Sequence, residues 1–199
     1  MKISVSPSVL LMGSVLLLSG KTDRAVIPLV AALIHECGHI LFSFIFSIQI
    51  EKIELNLFGA LIKIPPLSCS YNREAVLAAA GPMAIVVTSA IAAAYLGQVS
   101  EIYREGIIYF IISSLLFAFI NLLPAENLDG GRMLSCFLLA RLSPNTVHKI
   151  IEWTSLFCIF MLWSMSVYFI IRTGSYLSLF VFSGALFSKI FLFEDSHGD

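Results

Sequence analysis

The chain has 199 residues, of which 58% are hydrophobic and 13% charged, with 16 Phe and a formal net charge of −1. A mean hydropathy of +0.93 lies far from the usage of soluble domains and excludes a soluble enzyme or carrier. No basic run points to nucleic acid, and four cysteines without CxxC spacing suggest packing residues, not a disulfide framework or thiolate metal site.

Six apolar runs, roughly 3–20, 25–48, 75–97, 106–124, 150–171 and 175–193, approach the ~20 residues that a spanning helix requires. The expected fold is an all-α polytopic membrane protein. It has about six transmembrane helices and a small membrane-associated β-hairpin, in a single domain over 1–199 with no additional soluble domain. The first run, led by Lys2 and containing VLLMGSVLLLSG, has the outline of a signal peptide. LLLSGKTD offers neither an A-x-A-like cleavage site nor a lipoprotein cysteine, so retention as the first helix is the better reading.

The second run contains LIHECGHILF, residues 33–42. On a helix His35 and His39 lie four apart, so both imidazoles leave one face about a turn apart and can grip one metal ion. Glu36, next to the first histidine, is placed to take a proton from metal-bound water, which is the HExxH zinc-protease arrangement. The alternative is three polar residues satisfied by neighbouring helices. A charged side chain at helix centre costs about +2.5 to +3.5 kcal/mol on the translocon scale unless it is paired or ligated, which favours the metal.

Next, EKIELNLFGALIKIP alternates Lys52, Glu54 and Asn56 with Ile53, Leu55 and Leu57, then turns near Gly59. Period two with a Gly-containing turn reads as a β-hairpin, an interfacial loop being the alternative. The third apolar run carries Ala78, Ala79, Ala80 and Gly81, small residues that admit another backbone. Pro82, which removes a hydrogen bond, is expected to kink or open that helix.

Two histidines need a third protein ligand for a catalytic zinc, the fourth position being left for water. FINLLPAENLDGGRML, residues 119–134, breaks the fourth run at Pro124, and Asp129 is followed by Gly130 and Gly131, which let the backbone turn sharply. Asp129 is the expected third ligand. Glu126 is the rival and ranks second, lacking the glycines, while a plain helix cap by Asp129 is the bland alternative. Asn121, an amide at the end of an apolar run, suits either substrate binding or packing. His148 and His197 have no partner at ligand spacing.

Lysine and arginine prefer the cytoplasmic side. With both termini cytoplasmic, that side holds Lys2, Lys52, Lys63, Arg73, Arg132, Arg141, Lys149 and Lys189, against Lys21, Arg24, Arg104 and Arg172 opposite. Eight against four favours a multi-pass cell-membrane protein with both termini inside.

HECGH followed by Asn-Leu-Leu-Pro and Leu-Asp-Gly-Gly resembles the site-2 proteases, intramembrane zinc metalloproteases. The resemblance covers about 25–140 well and the flanking helices by count only. It implies a transmembrane peptidase core there, one catalytic Zn2+ held by His35, His39 and Asp129, Glu36 as catalytic base, and a substrate or active-site contact for Asn121. Ala-Gly-Pro at 80–82 is also a family pattern, and the hairpin at 51–64 matches an element thought to present substrate in extended form. The short six-helix form resembles a sporulation protease that frees a sigma factor from its membrane-bound precursor. The implied partners are therefore a membrane-tethered protein, inhibitory membrane proteins and the bilayer. Asn127 stands where the family often has a second proline, which leaves the path of that loop open. The sporulation form often adds a nucleotide-sensing domain after its last helix; the chain stops at Asp199, and none is expected here. Competing readings are a metal or proton transporter, for which no repeat of broken helices is found, and an inactive substrate-binding relative, against which Glu36 argues.

Overall fold

A computed structural model describes residues 2–5, 22–48, 52–56, 59–63, 70–126 and 128–173. Among them four helices are long and apolar enough to cross a membrane: Val26–Ile45, Tyr71–Tyr95, Glu101–Asn121 and Pro144–Arg172. The chain is a membrane protein. The expected sixth helix and residues 6–20 of the expected first lie outside the described residues. Lys2–Val5 is a strand, β1, where the apolar run suggested the start of a helix; its Lys-Ile-Ser-Val alternation suits a strand better than a helical turn. The chain groups into two compact units, Met1–Leu122 and Leu123–Asp199.

In the first unit β1 is followed by α1 (Thr22–Ile45), β2 (Lys52–Asn56), β3 (Gly59–Lys63), α2 (Tyr71–Tyr95) and α3 (Glu101–Asn121). β2 pairs antiparallel with β3, Ile53 opposite Ile62 and Leu55 opposite Ala60. It also pairs in parallel with β1, Ile3 opposite Ile53, so β2 is the central strand. α2 runs through Pro82 without interruption.

α1 ends in a Schellman motif. Ser47 takes φ 52°, its N–H donates to the Phe44 carbonyl at 3.1 Å, and the Ile48 N–H reaches back to the Ser43 carbonyl at 2.9 Å. Ile48, at the position where such ends commonly carry an apolar contact, is buried.

Small residues bring α1, α2 and α3 together around Ala31, Ile85 and Ala118, flanked by Ile34 and Phe110. A Cβ on Gly38 would stand 2.5 Å from the Ala80 carbonyl oxygen and 2.8 Å from the Ala84 Cβ, so glycine is what lets α1 approach α2. Large apolar side chains such as Leu33, Phe44, Val87 and Ile112 point outward. That inversion is stable where the surroundings are hydrocarbon, because lipid tails impose no hydrophobic penalty on them.

The second unit contains α4 (Asp129–Leu139) and α5 (Pro144–Thr173). α4, at 11 residues, is too short to span a bilayer. A buried stripe on α5 comprises Val147, Ile151, Ser155, Cys158 and Ile159, following helical spacing.

Candidate metal centre

His35 and His39 lie in the middle of α1, both buried, and one helical turn places their rings together. The two Nε2 atoms are 3.1 Å apart and the rings meet edge to face with centroids at 4.8 Å. Nδ1 of His39 lies 2.8 Å from the Leu77 carbonyl oxygen on α2. A carbonyl can only accept, so Nδ1 carries the proton and Nε2 keeps its lone pair. Nε2 of His35 either donates to that lone pair or, as the Nδ1–H tautomer, offers a second lone pair to a shared ion.

The spacing fits a metal. Two nitrogens about 2.0–2.1 Å from a tetrahedral zinc are roughly 3.3 Å apart, close to the separation seen. Orientation of a ligating histidine by a hydrogen bond from its other nitrogen is the usual outer-shell arrangement.

Two further groups shape the pair. The ring of Phe117 on α3 meets His35 edge to face at 5.2 Å. A Cβ on Gly81 would collide with Nε2 of His39 and stand 2.7 Å from Nε2 of His35, so α2 lacks a side chain where the two nitrogens converge. Gly81 was legible from sequence as a small packing residue and as part of the Ala-Gly-Pro pattern, with nothing to place it against the histidines, while Phe117 and the Leu77 carbonyl carried no signal, since a backbone acceptor has no letter of its own.

Glu36 is half-buried on the same helix, and neighbouring Cys37 is exposed. Asn121, at the end of α3, is buried; its Nδ2 donates to the Phe117 carbonyl at 3.0 Å. Since Phe117 and Asn121 are four apart, they share one face of α3, the face whose Phe117 ring meets His35.

Asp129 belongs to the second unit. It is the first residue of α4, behind extended Leu128 at φ −114° and ψ 160°, and it is buried. The rival Glu126 is exposed. A Cβ on Gly131 would strike the Ala125 carbonyl oxygen and lie 2.5 Å from its carbon, so the segment before α4 folds onto the helix start because residue 131 has no side chain. Leu128 N–H closes that turn on the Ala125 carbonyl at 2.9 Å. Asn127 lies outside the described residues, as does His197; His148 is exposed.

Over 167 residues the chain is 30% identical to stage IV sporulation protein FB of Bacillus subtilis (strain 168), an alignment taking in 81% of this chain and 56% of that protein. The chain thus spans about half the length of its curated relative. Its fold is similar to that of the site-2 protease from Methanocaldococcus jannaschii, with a TM-score of 0.71 at 16% identity, covering 94% of this chain and 88% of the other. No protein-family model matches the chain.

Proposed function

We propose that the chain is an intramembrane zinc endopeptidase of the site-2 protease type, acting on a membrane-tethered protein near the cytoplasmic face, a reading supported by its similarity to the sporulation protein in sequence and to the site-2 protease in fold. One observation carries the reading: two buried imidazoles on a membrane-length helix turn their Nε2 atoms to within 3.1 Å of each other, one of them oriented by a backbone carbonyl. Such a pair calls for a third protein ligand. Buried Asp129, at the irregular start of α4, supplies a carboxylate better protected from water than that of exposed Glu126.

His35, His39 and Asp129 would hold the ion. Zinc, once bound, polarises a scissile carbonyl and lowers the pKa of a water toward about 7. Glu36 takes a proton from the attacking water and passes it to the leaving amine. The buried Asn121 amide holds substrate backbone beside the histidines. Because a helical peptide bond is hydrogen-bonded to its own turn, the substrate segment must unwind first. Strand addition would hold it, and since β2 already has partners on both sides, the acceptor is the outer edge of β3 or a place vacated by β1. A sigma-factor precursor is the proposed substrate, with inhibitory membrane proteins as regulators, by analogy with the sporulation relative.

The test is zinc per chain in detergent-purified protein, followed by cleavage of a tethered substrate. Wild type is expected to hold about one zinc, as catalytic sites of this ligand type do. His39→Ala and Asp129→Ala lose it, and Glu36→Gln keeps it while cleavage disappears. Loss of zinc in Glu36→Gln would make Glu36 a ligand and favour a transporter instead.

A further inference from the structure

Ser155 stands out among the hydroxyls of the helices. Ser43, Thr88, Ser113, Thr154 and Ser166 donate back to carbonyls of their own helix. Ser155 does the same, its Oγ lying 2.6 Å from the Ile151 carbonyl oxygen, and it also accepts the Glu126 N–H at 2.9 Å. Its single proton is committed to Ile151, so the bond from Glu126 uses a lone pair, and the two bonds together fix the rotamer. The side chain is 1% exposed and sits within a membrane-length helix.

The bridge matters because of what it holds. Residues 123–126 and Leu128 stand outside the helices between α3 and α4, and irregular backbone in a bilayer survives only where protein or a watery cavity satisfies its polar groups. Glu126 N–H is satisfied by Ser155. One residue earlier, the Ala125 carbonyl takes the Leu128 N–H and lies over Gly131. Ser155, Glu126, the Ala125–Leu128 hydrogen bond and the first turn of α4 are therefore connected, with Asp129 at the end of the chain of contacts.

Resting on the reading of Asp129 as the third zinc ligand, we propose that Ser155 is a positioning residue for the metal centre. By anchoring the Glu126 N–H to α5 it sets where the Asp129 carboxylate stands. Outer-shell groups of this kind change metal affinity by about 10–100-fold when removed.

The experiment is a chelator-competition measurement of zinc affinity on the metal-depleted full chain in detergent. It compares wild type with Ser155→Ala, Ser155→Thr, Ser166→Ala and Asp129→Ala, with thermal midpoints and amide exchange recorded on each. Ser155→Ala is expected to weaken zinc binding at least about tenfold and to speed exchange around residue 126. Ser155→Thr, which keeps the hydroxyl, should restore affinity to within about twofold. Ser166→Ala should leave affinity unchanged, its buried hydroxyl donating to the Trp163 carbonyl of its own helix. Wild-type affinity in folded Ser155→Ala, or an equal loss in Ser166→Ala, overturns the proposal. Should Ser155→Ala fail to accumulate, Ser155→Cys is measured in its place: a weaker acceptor of similar size should cost affinity, and an unchanged value overturns the proposal. Asp129→Ala separates the two failures. If it keeps its zinc, the ligand assignment falls and Ser155 with it; if it loses zinc while Ser155→Ala binds normally, only the role of Ser155 falls.

Discussion

At the residue scale, the chemistry of the histidine pair depends on an atom that is missing. Gly81 presents no Cβ where Nε2 of His35 and of His39 converge, and imidazoles already packed against Phe117 and Leu77 have little room to retreat. Gly81→Ala is therefore expected to cut zinc content to well below half while α2 still forms, alanine being the better helix former by about 1 kcal/mol. Gly106→Ala is the control, since a Cβ there meets nothing within 4 Å. Metal analysis of the two purified variants decides it, and full zinc in Gly81→Ala would show that the rings can move aside. His35, Glu36 and His39 were readable from the sequence because ionisable residues at helical spacing stand out against an apolar run. The groups that orient them were not: the partner of His39 is a main-chain oxygen, and Phe117 is one of 16 phenylalanines with nothing local to mark it.

At the scale of an element, the end of α1 carries a measurable strain. Ser47 sits at φ 52°, where a Cβ costs about 1–2 kcal/mol relative to the right-handed region. Glycine avoids that cost but loses more entropy on folding, by roughly 0.5–1 kcal/mol. Ser47→Gly is thus expected to stabilise the protein by up to about 1 kcal/mol, seen as a higher thermal midpoint in detergent; a lower midpoint would mean that the Ser47 hydroxyl contributes more than the strain removes. The long apolar runs near 25–48, 75–97, 106–124 and 150–171 were legible as helices because composition and length suffice for a spanning segment. Strand β1 was not, since Ile3 and Val5 read as the opening of an apolar run until their pairing with β2 is seen. Pro82 does not end α2, because in a bilayer the alternative to a helix is worse than one missing hydrogen bond. The anchoring of residue 126 by Ser155 joins positions 29 apart in sequence, a relation no local pattern reports.

At the scale of the whole molecule, the surface is the apolar part. Ile102, Phe44, Trp153 and Ile171 are each at least 72% exposed, whereas His35, His39, Asn121 and Asp129 are buried. The sequence count of lysine and arginine, eight against four, leads to the expectation that both termini lie on the cytoplasmic side. Reporter fusions test that orientation: a reporter active only in the cytoplasm should function at both termini, and one active only outside should fail at both. Opposite signals at the two ends would require an odd number of crossings and overturn the six-helix reading.

The acceptor that orients His39 is the carbonyl of Leu77, which every amino acid possesses. No codon change at position 77 can delete it, so the bond is encoded by the distance between α1 and α2 and by nothing written at residue 77 itself. That distance is set by Gly38 against Ala80 and Ala84, and by Gly81 against the two rings. A saturation screen for loss of function should therefore return two kinds of hit: the residues that do chemistry, and a set of chemically inert small positions where any added volume is harmful. Position 77, although it makes the bond, should tolerate other apolar side chains of similar size.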